Sequence, residues 1–283
     1  MVMMLRILVL QRLYNLSDDQ TEYQINDRMS FMRFLGINLC EKVPDAKTIW
    51  KFKNDLAETE TVDKLFCMFD EHLENKGLIS HKGTIVDATF VDAPRQRNSR
   101  DENKKIKNGV IPEEWEKPEN KSKLAQKDID ADWTKKNGER HFGYKDHVKC
   151  DADSKLITNY SVTSASVHDS QRCLVFIGQE DEVLYADSAY SGKPIALALP
   201  ENCKNQICEK GYRNSPLTSE QKMNNRRKSR IRCRIEQIFG FMTGAMHGIT
   251  IRSIGITRAW MNIGITNLVY NFCRYSYLKG ASA

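Results

Sequence analysis

One strand-like segment sets the terms for the rest of the chain. At residue 83 the texture changes to "GTIVDATFVDA", rich in β-branched residues and carrying a charge, Asp87, beside the apolar Ile85 and Val86. β-branched runs of this kind favour strands. A charge set among buried apolar neighbours is costly unless it is paired or holds a cation. Strand-like and helical segments alternate from there on. "HFGYKDHVKCDADSKLITNYSVTSAS" (141–166) reads as two strands joined by a turn at Asp151–Ser154. "HDSQRCLVFIGQ" reads as a helix capped near Asp169, "DEVLYADSAYSG" as a buried strand ending in a polar turn, "PIALALP" as a short helix and "NQICEKG" as a short strand. A long helix over about 219–243 and a final apolar helix close the chain. This order predicts an α/β layer fold with a mixed sheet.

Residues 3–76 read differently, as an all-helical region. Leu5, Ile7, Leu8, Leu10 and Leu13 fall near amphipathic spacing, and Gly36 stops the segment "MSFMRFLGI". In "KVPDAKTIWKFKNDL" Pro44 and Asp45 are start signals and Ile49, Phe52 and Leu56 recur at helical spacing. That helix, after another helix and a tight turn, suits a DNA-reading element, with Lys47 and Lys51 as candidate contacts, or equally a part of an ordinary helical subdomain. A third helix ends at Gly77. The boundaries expected are 1–80 for a helical DNA-binding domain and 81–283 for the α/β domain. Residues 95–140, highly charged and poor in aliphatics, form an insertion that is a surface excursion or partly disordered.

Eight scattered cysteines without a CxxC pair argue against a zinc site and for a reduced, intracellular protein. The opening "MVMMLRILVL" is interrupted by Arg6, and no run approaches the ~20 apolar residues of a membrane span.

The sharpest motif is "RRKSRIRCRIEQIFG" (226–240). Six of its first nine residues are cationic, and Glu236 is the first acid since Glu220. On a helix Ile231, Ile235, Ile238, Phe239 and Met242 form one apolar stripe, Glu236 flanks it, and Arg232 and Ser229 precede Glu236 on the same side. Arg226, Arg230 and Arg234 run down the other flank. An exposed Arg232–Glu236 pair at i, i+4 is worth only ~0.3–0.5 kcal/mol and leaves the remaining cations unexplained; a polyanion relieves their mutual repulsion. Asp187, in "VLYADSAYSG", is the second acid at a strand end. Alone, each aspartate reads first as a cap or turn residue. Together with Glu236 they supply three carboxylates for two Mg²⁺ or Mn²⁺ ions, the requirement of metal-assisted phosphoryl transfer. In the 141–166 hairpin, positions 141, 143, 145 and 147, Lys145 among them, share a face that can meet phosphate or be a solvated sheet face. His168 and Asp169 precede a helix, Asp169 as its N-cap. Asp92, at odd spacing from Asp87, falls on the opposite face. Trp133, beside Lys135 and Lys136, is placed to stack on a base or to be a surface hydrophobe.

"TIVDATFVDAPR", "DADWTKKNGERHFGYKDHVKCD", "TSASVHDS", "YADSAYSG" and "RIRCRIEQIFG" resemble, in this order, the DDE transposases of the IS5 group (IS4/IS5 superfamily) of bacterial insertion sequences, and the N-terminal segments resemble that group's helical domain. The resemblance implies an RNase H-like catalytic core behind an all-α N-terminal domain. It implies Asp87, Asp187 and Glu236 as catalytic residues holding two Mg²⁺ or Mn²⁺ ions, with Arg232, Lys145 and His168 supporting. DNA contacts would come from Lys47, Lys51, Arg226, Arg227, Lys228, Arg230 and Arg234. The implied reaction is strand cleavage at the element's ends by water, then 3′-OH attack on target DNA. The implied partners are double-stranded DNA, as inverted-repeat ends and as target, and a second copy of the chain, since two ends must be joined. No membrane and no small-molecule substrate is expected; the expected location is the cytoplasm, on the bacterial nucleoid. Arg232 matches the arginine of a Y-x2-R-x3-E-x6-K signature, but Ser229 and Thr243 stand where its tyrosine and lysine would be. Relatives carry further residues before the first helix, so a truncated N-terminus is expected. The alternative is an impaired, DNA-binding remnant or repressor of the same element; an intact acid triad favours the enzyme, because a pure binder has no use for acids that repel phosphate.

Overall fold

The computed structural model describes residues 1–136 and 138–281. Five helices come first: α1 (Val2–Leu13), α2 (Asp18–Asp27), α3 (Met29–Leu35), α4 (Ala46–Glu58) and α5 (Thr61–Asn75). Ser17 and Gln20 form a capping box on α2, and Asp45 caps α4 by accepting from Thr48 N–H at 2.7 Å. Gly36 ends α3 in the left-handed region. Residues 36–45 then separate α3 from α4, so this connection is a long loop and not the tight turn expected from the sequence.

The strand β1 (Thr84–Asp92) follows. The insertion comes next, with α6 (Arg100–Lys107), α7 (Glu113–Glu116) and α8 (Lys121–Ala125). β2 (Asp132–Lys136), β3 (Glu139–Asp151), β4 (Ile157–Ser164), α9 (Ser170–Phe176), β5 (Val183–Tyr185), α10 (Lys193–Ala198) and β6 (Lys204–Asn205) complete the alternating part. α11 (Ser219–Arg232), α12 (Arg234–Thr243) and α13 (Ile256–Ala281) end the described chain. β2 was not anticipated, and β3 begins two residues before the expected hairpin.

β1 lies between β3, antiparallel, and β5, parallel; β5 pairs in parallel with β6. β3 is long enough for β2 to pair with its first part and β4 with its second, both along the edge away from β1. This mixed sheet, four strands in antiparallel pairings continued by two parallel ones with helices on both faces, is an RNase H-like α/β core behind N-terminal helices. Gly143, opposite Asp92, has φ +146°, and a Cβ there would lie 2.3 Å from the Val91 carbonyl oxygen. Only glycine lets β3 pass the end of β1 so closely.

Alternation along β1 sorts the two faces. Ile85 and Val91 face a core built with Val148, Cys150, Ile235, Ile238, Met242 and the buried side of α13. Val86 faces a smaller cluster with Leu184, Ala186, Cys173, Phe176 and Ile195 under α9 and α10. The first core continues through α13 into Ile7, Leu8, Ile49, Val62 and Phe66 of the N-terminal helices.

The charged insertion is folded. Trp115 is wholly buried and donates its indole N–H to Glu102 at 2.8 Å, while Lys123 and Lys127 lie over its ring. Glu102 also closes a capping box with Ser99. Gln96 exchanges two hydrogen bonds with the backbone of Asp128, and the Asp128 carboxylate accepts from the Tyr144 hydroxyl on β3. One aromatic ring and a polar network replace the aliphatic core that the composition lacks.

Candidate active site

The β1–β5 register pairs Thr84 with Leu184 and Ile85 with Tyr185. Asp87 and Asp187 each lie two residues beyond the last of these pairs; Asp87 is on the sheet face of Ile85 and Val91, and the charge of Asp187 acts on it. Asp187 follows β5 as the N-cap of a short 3₁₀ turn, its carboxylate accepting from Ala189 N–H at 2.6 Å. The Asp87 carboxylate accepts from the N–H of Ala88 at 2.8 Å. Glu236 comes from the helical layer over this face. The expected single helix over 219–243 is broken at Cys233, whose ψ of −9° ends α11; Glu236 sits in the first turn of α12. The anticipated apolar stripe holds, with Ile235, Ile238 and Met242 fully buried.

Arg232, the last residue of α11, links the acids. Its guanidinium donates to Asp87 Oδ2 at 2.8 Å and to Glu236 Oε1 at 2.9 Å. Burial lowers the guanidinium's pKa, but Asp87, Glu236 and Asp187 outweigh this and raise it. Asp87 responds in the opposite sense. Burial pushes its carboxyl above the ordinary range and Asp187 adds to the effect, against the Ala88 N–H, Arg232 and Lys136. The shift is mainly the cost of desolvating the charge, which the arginine does not fully offset.

An all-carboxylate donor set with one buried member fits a hard divalent cation. The oxygens of the three acids are not all within 4.8 Å of one another, and Arg232 stands between two of them. Among the described residues the group of three ligand-type side chains meeting that spacing is Glu74, His81 and Glu180. It lies just ahead of β1 and β5, at the opposite ends of the strands from Asp187, and its two glutamates are exposed. Asp92 is exposed, on the other face from Asp87, as its spacing required.

Several expected contacts are placed differently. Lys145 pairs across the sheet with Phe90, on the face opposite Asp87; it is buried, and its ammonium donates to Asp169 Oδ1 and the Val167 carbonyl, both at 2.7 Å. It is thus spent inside the protein, and the phosphate-facing hairpin surface is corrected to a covered one. His147 on that face is also buried, bonded to Thr163 Oγ1, and burial lowers its pKa to about 4. Asp169 occupies the N-cap position of α9 without capping it, because Lys145 takes its carboxylate. His168 instead accepts from Ser170 N–H at 3.3 Å and is exposed.

Of the basic set, Lys47, Lys51, Arg226, Arg227 and Arg230 are exposed. Lys228 donates to the Ile207 carbonyl and pairs with Glu209; Arg234 donates to the Ala152 carbonyl and to Asp153. These two pin α11 and α12 to the core and are not free for a ligand. Along α11, Lys222, Arg226 and Arg230 line one groove with Ser229 and Cys233. Trp133 is half-buried against Phe142 with Arg95 over its ring, so neither proposed role, base platform nor bare surface hydrophobe, describes it.

Two residues near the acids escaped the sequence reading. Lys136, on β2, acts on the charge of Asp87. Tyr190, three residues after Asp187, is buried with its hydroxyl unbonded, and its pKa is raised well above normal by burial and then by Asp87. Its place in "YADSAYSG" was visible; that the turn folds it back under the acids was not.

Known families match at both ends of this architecture. The family described as "Transposase domain (DUF772)" matches residues 1–55. A solved structure, "Cryo-EM structure of piggyBac transposase synaptic complex with hairpin DNA", aligns at 11% identity with a TM-score of 0.45, over 98% of this chain and 66% of that one. The family described as "Transposase DDE domain" matches residues 79–272, a span that holds the whole sheet, all three acids and most of α13, and the chain belongs to that family.

Proposed function

We propose that this chain is a DNA transposase of the IS5 type, cutting DNA at the ends of an insertion sequence and joining the freed 3′-hydroxyl to target DNA. The observation that carries the reading is that Arg232 bonds both Asp87 and Glu236 while the charge of Asp187 acts on Arg232 and Asp87. Asp87 and Asp187 sit on or directly after paired strands, which fixes their carboxylates. Glu236, on a separate helix and exposed, is the adjustable member. The three acids would hold two divalent ions, Mg²⁺ or Mn²⁺, which when bound polarise a phosphoryl oxygen and lower the pKa of water or a 3′-hydroxyl. Arg232 holds Glu236 towards Asp87 and keeps positive charge beside the bond to be broken. Lys222, Arg226, Arg227 and Arg230 extend that charge along α11 as a track for the DNA backbone. Lys47 and Lys51 on the outer face of α4 suit contact with a DNA end, in a helical region over about 1–80 that serves end binding, ahead of a catalytic region over 81–283. Joining two ends in one reaction favours a dimer.

The test is cleavage of a labelled duplex carrying the flanking inverted repeats, with Mg²⁺, with EDTA, and with Asp87→Asn, Asp187→Asn or Glu236→Gln. The expected result is metal-dependent cutting that each substitution lowers by ~10²-fold or more. Variants that cut as fast as the parent would refute the assignment of the acids. Specific binding without cutting in any metal would favour the end-binding remnant.

A further inference from the structure

The face of the insertion turned away from the core carries charge that the active site does not use. α6 and the β2–β3 hairpin enclose a groove of about 560 Å³. Its rim holds Arg100, Lys104 and Lys107 from α6 and Lys135 and Arg140 from the hairpin, with Trp133 behind them. All five cations are exposed, and among the described residues none makes an ion pair or a side-chain hydrogen bond. The one acid in the lining, Asp132, accepts from the N–H of Trp133.

Ordinary helix electrostatics explain part of this. Lysines in the last turn of α6 complement its dipole, as Asp101 and Glu102 do in its first turn. They do not explain Arg100 at the positive end. Nor do they explain the hairpin, where Lys135 stands directly across from Arg140. Like charges at directly opposed positions destabilise a strand pair. The next pair along, Lys136 with Glu139, shows that an opposite charge is accommodated in the same ladder.

We propose that this groove is a second contact surface for the backbone of duplex DNA, separate from the acid site and from α11. Five unneutralised cations on two elements of a folded platform match a run of phosphates. The Trp133 ring is already packed by Phe142 and Arg95, so the surface reads charge and not bases. Its position suits a duplex seated at Asp87. β1 runs from Asp87 to Asp92, and β3 continues past that end to Arg140, on the order of 25 Å at ~3.3 Å per residue. That span corresponds to about eight base pairs. The choice of duplex DNA rests on the transposase reading; the site itself does not.

The experiment measures duplex affinity of the full chain against salt, for the parent and for Lys104→Gln/Lys107→Gln/Lys135→Gln/Arg140→Gln. Expected is a slope of log K against log salt smaller by about 3.6, four lost phosphate contacts at ~0.9 each, and binding at least tenfold weaker near ~0.1 M salt. Lys135→Gln alone should leave the melting temperature unchanged or higher, since it removes a like-charge pair, which separates lost binding from lost folding. An unchanged slope, or a parent that binds no duplex, overturns the proposal. Triad-dependent cleavage with an unchanged slope refutes the groove and leaves the enzyme; a reduced slope in a protein whose triad variants cut normally does the reverse.

Discussion

The guanidinium of Arg232 lies 2.8 Å from the carboxylate of Asp87, although 145 positions separate them in the chain. The same side chain holds Glu236 one turn further along its own helical layer. A pair that reads in the sequence as a surface i, i+4 contact is thus one arm of a half-buried fork, and the other arm reaches the central strand.

This fork predicts a coupling energy. Arg232→Ala leaves Asp87, its side chain 14% exposed, without its charged partner. The expected cost in urea unfolding is about 1–3 kcal/mol. In an Asp87→Asn background the same substitution should cost much less. Equal costs in both backgrounds would mean that the pair contributes nothing.

Asp146 gives a pH dependence with a defined sign. It is fully buried on β3, and burial raises its pKa from 3.8 to about 8, while the hydrogen bond from Asn267 opposes this. The folded protein therefore keeps a proton there that the unfolded chain releases above about pH 4. Stability should fall as pH rises from about 4 to about 8 and then level off for this group. Asp146→Asn removes that dependence, so its melting temperature should gain on the parent's across this window. A constant difference between the two melting curves would contradict it.

At Gly264, α13 runs close against Tyr160 of β4 and Val62 of α5. A Cβ there would lie 2.2 Å from the Tyr160 hydroxyl oxygen and 2.8 Å from Val62 Cγ1. Gly264→Ala should destabilise the protein by about 1–3 kcal/mol through overpacking. Tyr160→Phe should recover only part of this, because the ring carbon at 2.9 Å remains. Denaturant midpoints of the two single variants and the double variant decide it.

Trp115 should matter locally. Trp115→Ala removes the one large apolar side chain fully buried among the described residues of the insertion and should cost about 3–5 kcal/mol. The expected signature is rapid proteolysis within 95–130 while the strands of the core stay protected from hydrogen exchange. Resistance equal to the parent's would show that the polar network alone holds the insertion.

Local chemistry determined much of this protein. β-branched runs wrote β1 and β4, and apolar spacing together with Ser17, Asp45 and Thr218 as caps wrote the helices, because strand and helix propensities act over a few residues. The sequence order of strands and helices was enough for an α/β core with a mixed sheet. Tertiary structure decided which charges are spent and which stay free. Lys145, Lys228 and Arg234 read as surface cations until Asp169, Ile207, Ala152 and Asp153, distant in the chain, came within hydrogen-bond reach. The insertion read as open because its core is one tryptophan and a set of polar contacts, a pattern without periodicity. The helix over 219–243 read as unbroken because nothing in its sequence breaks it; the bend at Cys233 appears only with the packing of Ile235 and Ile238 on the sheet. A side chain's solvation, pairing and pKa depend on what lies across from it, and a linear chain does not state its own neighbours.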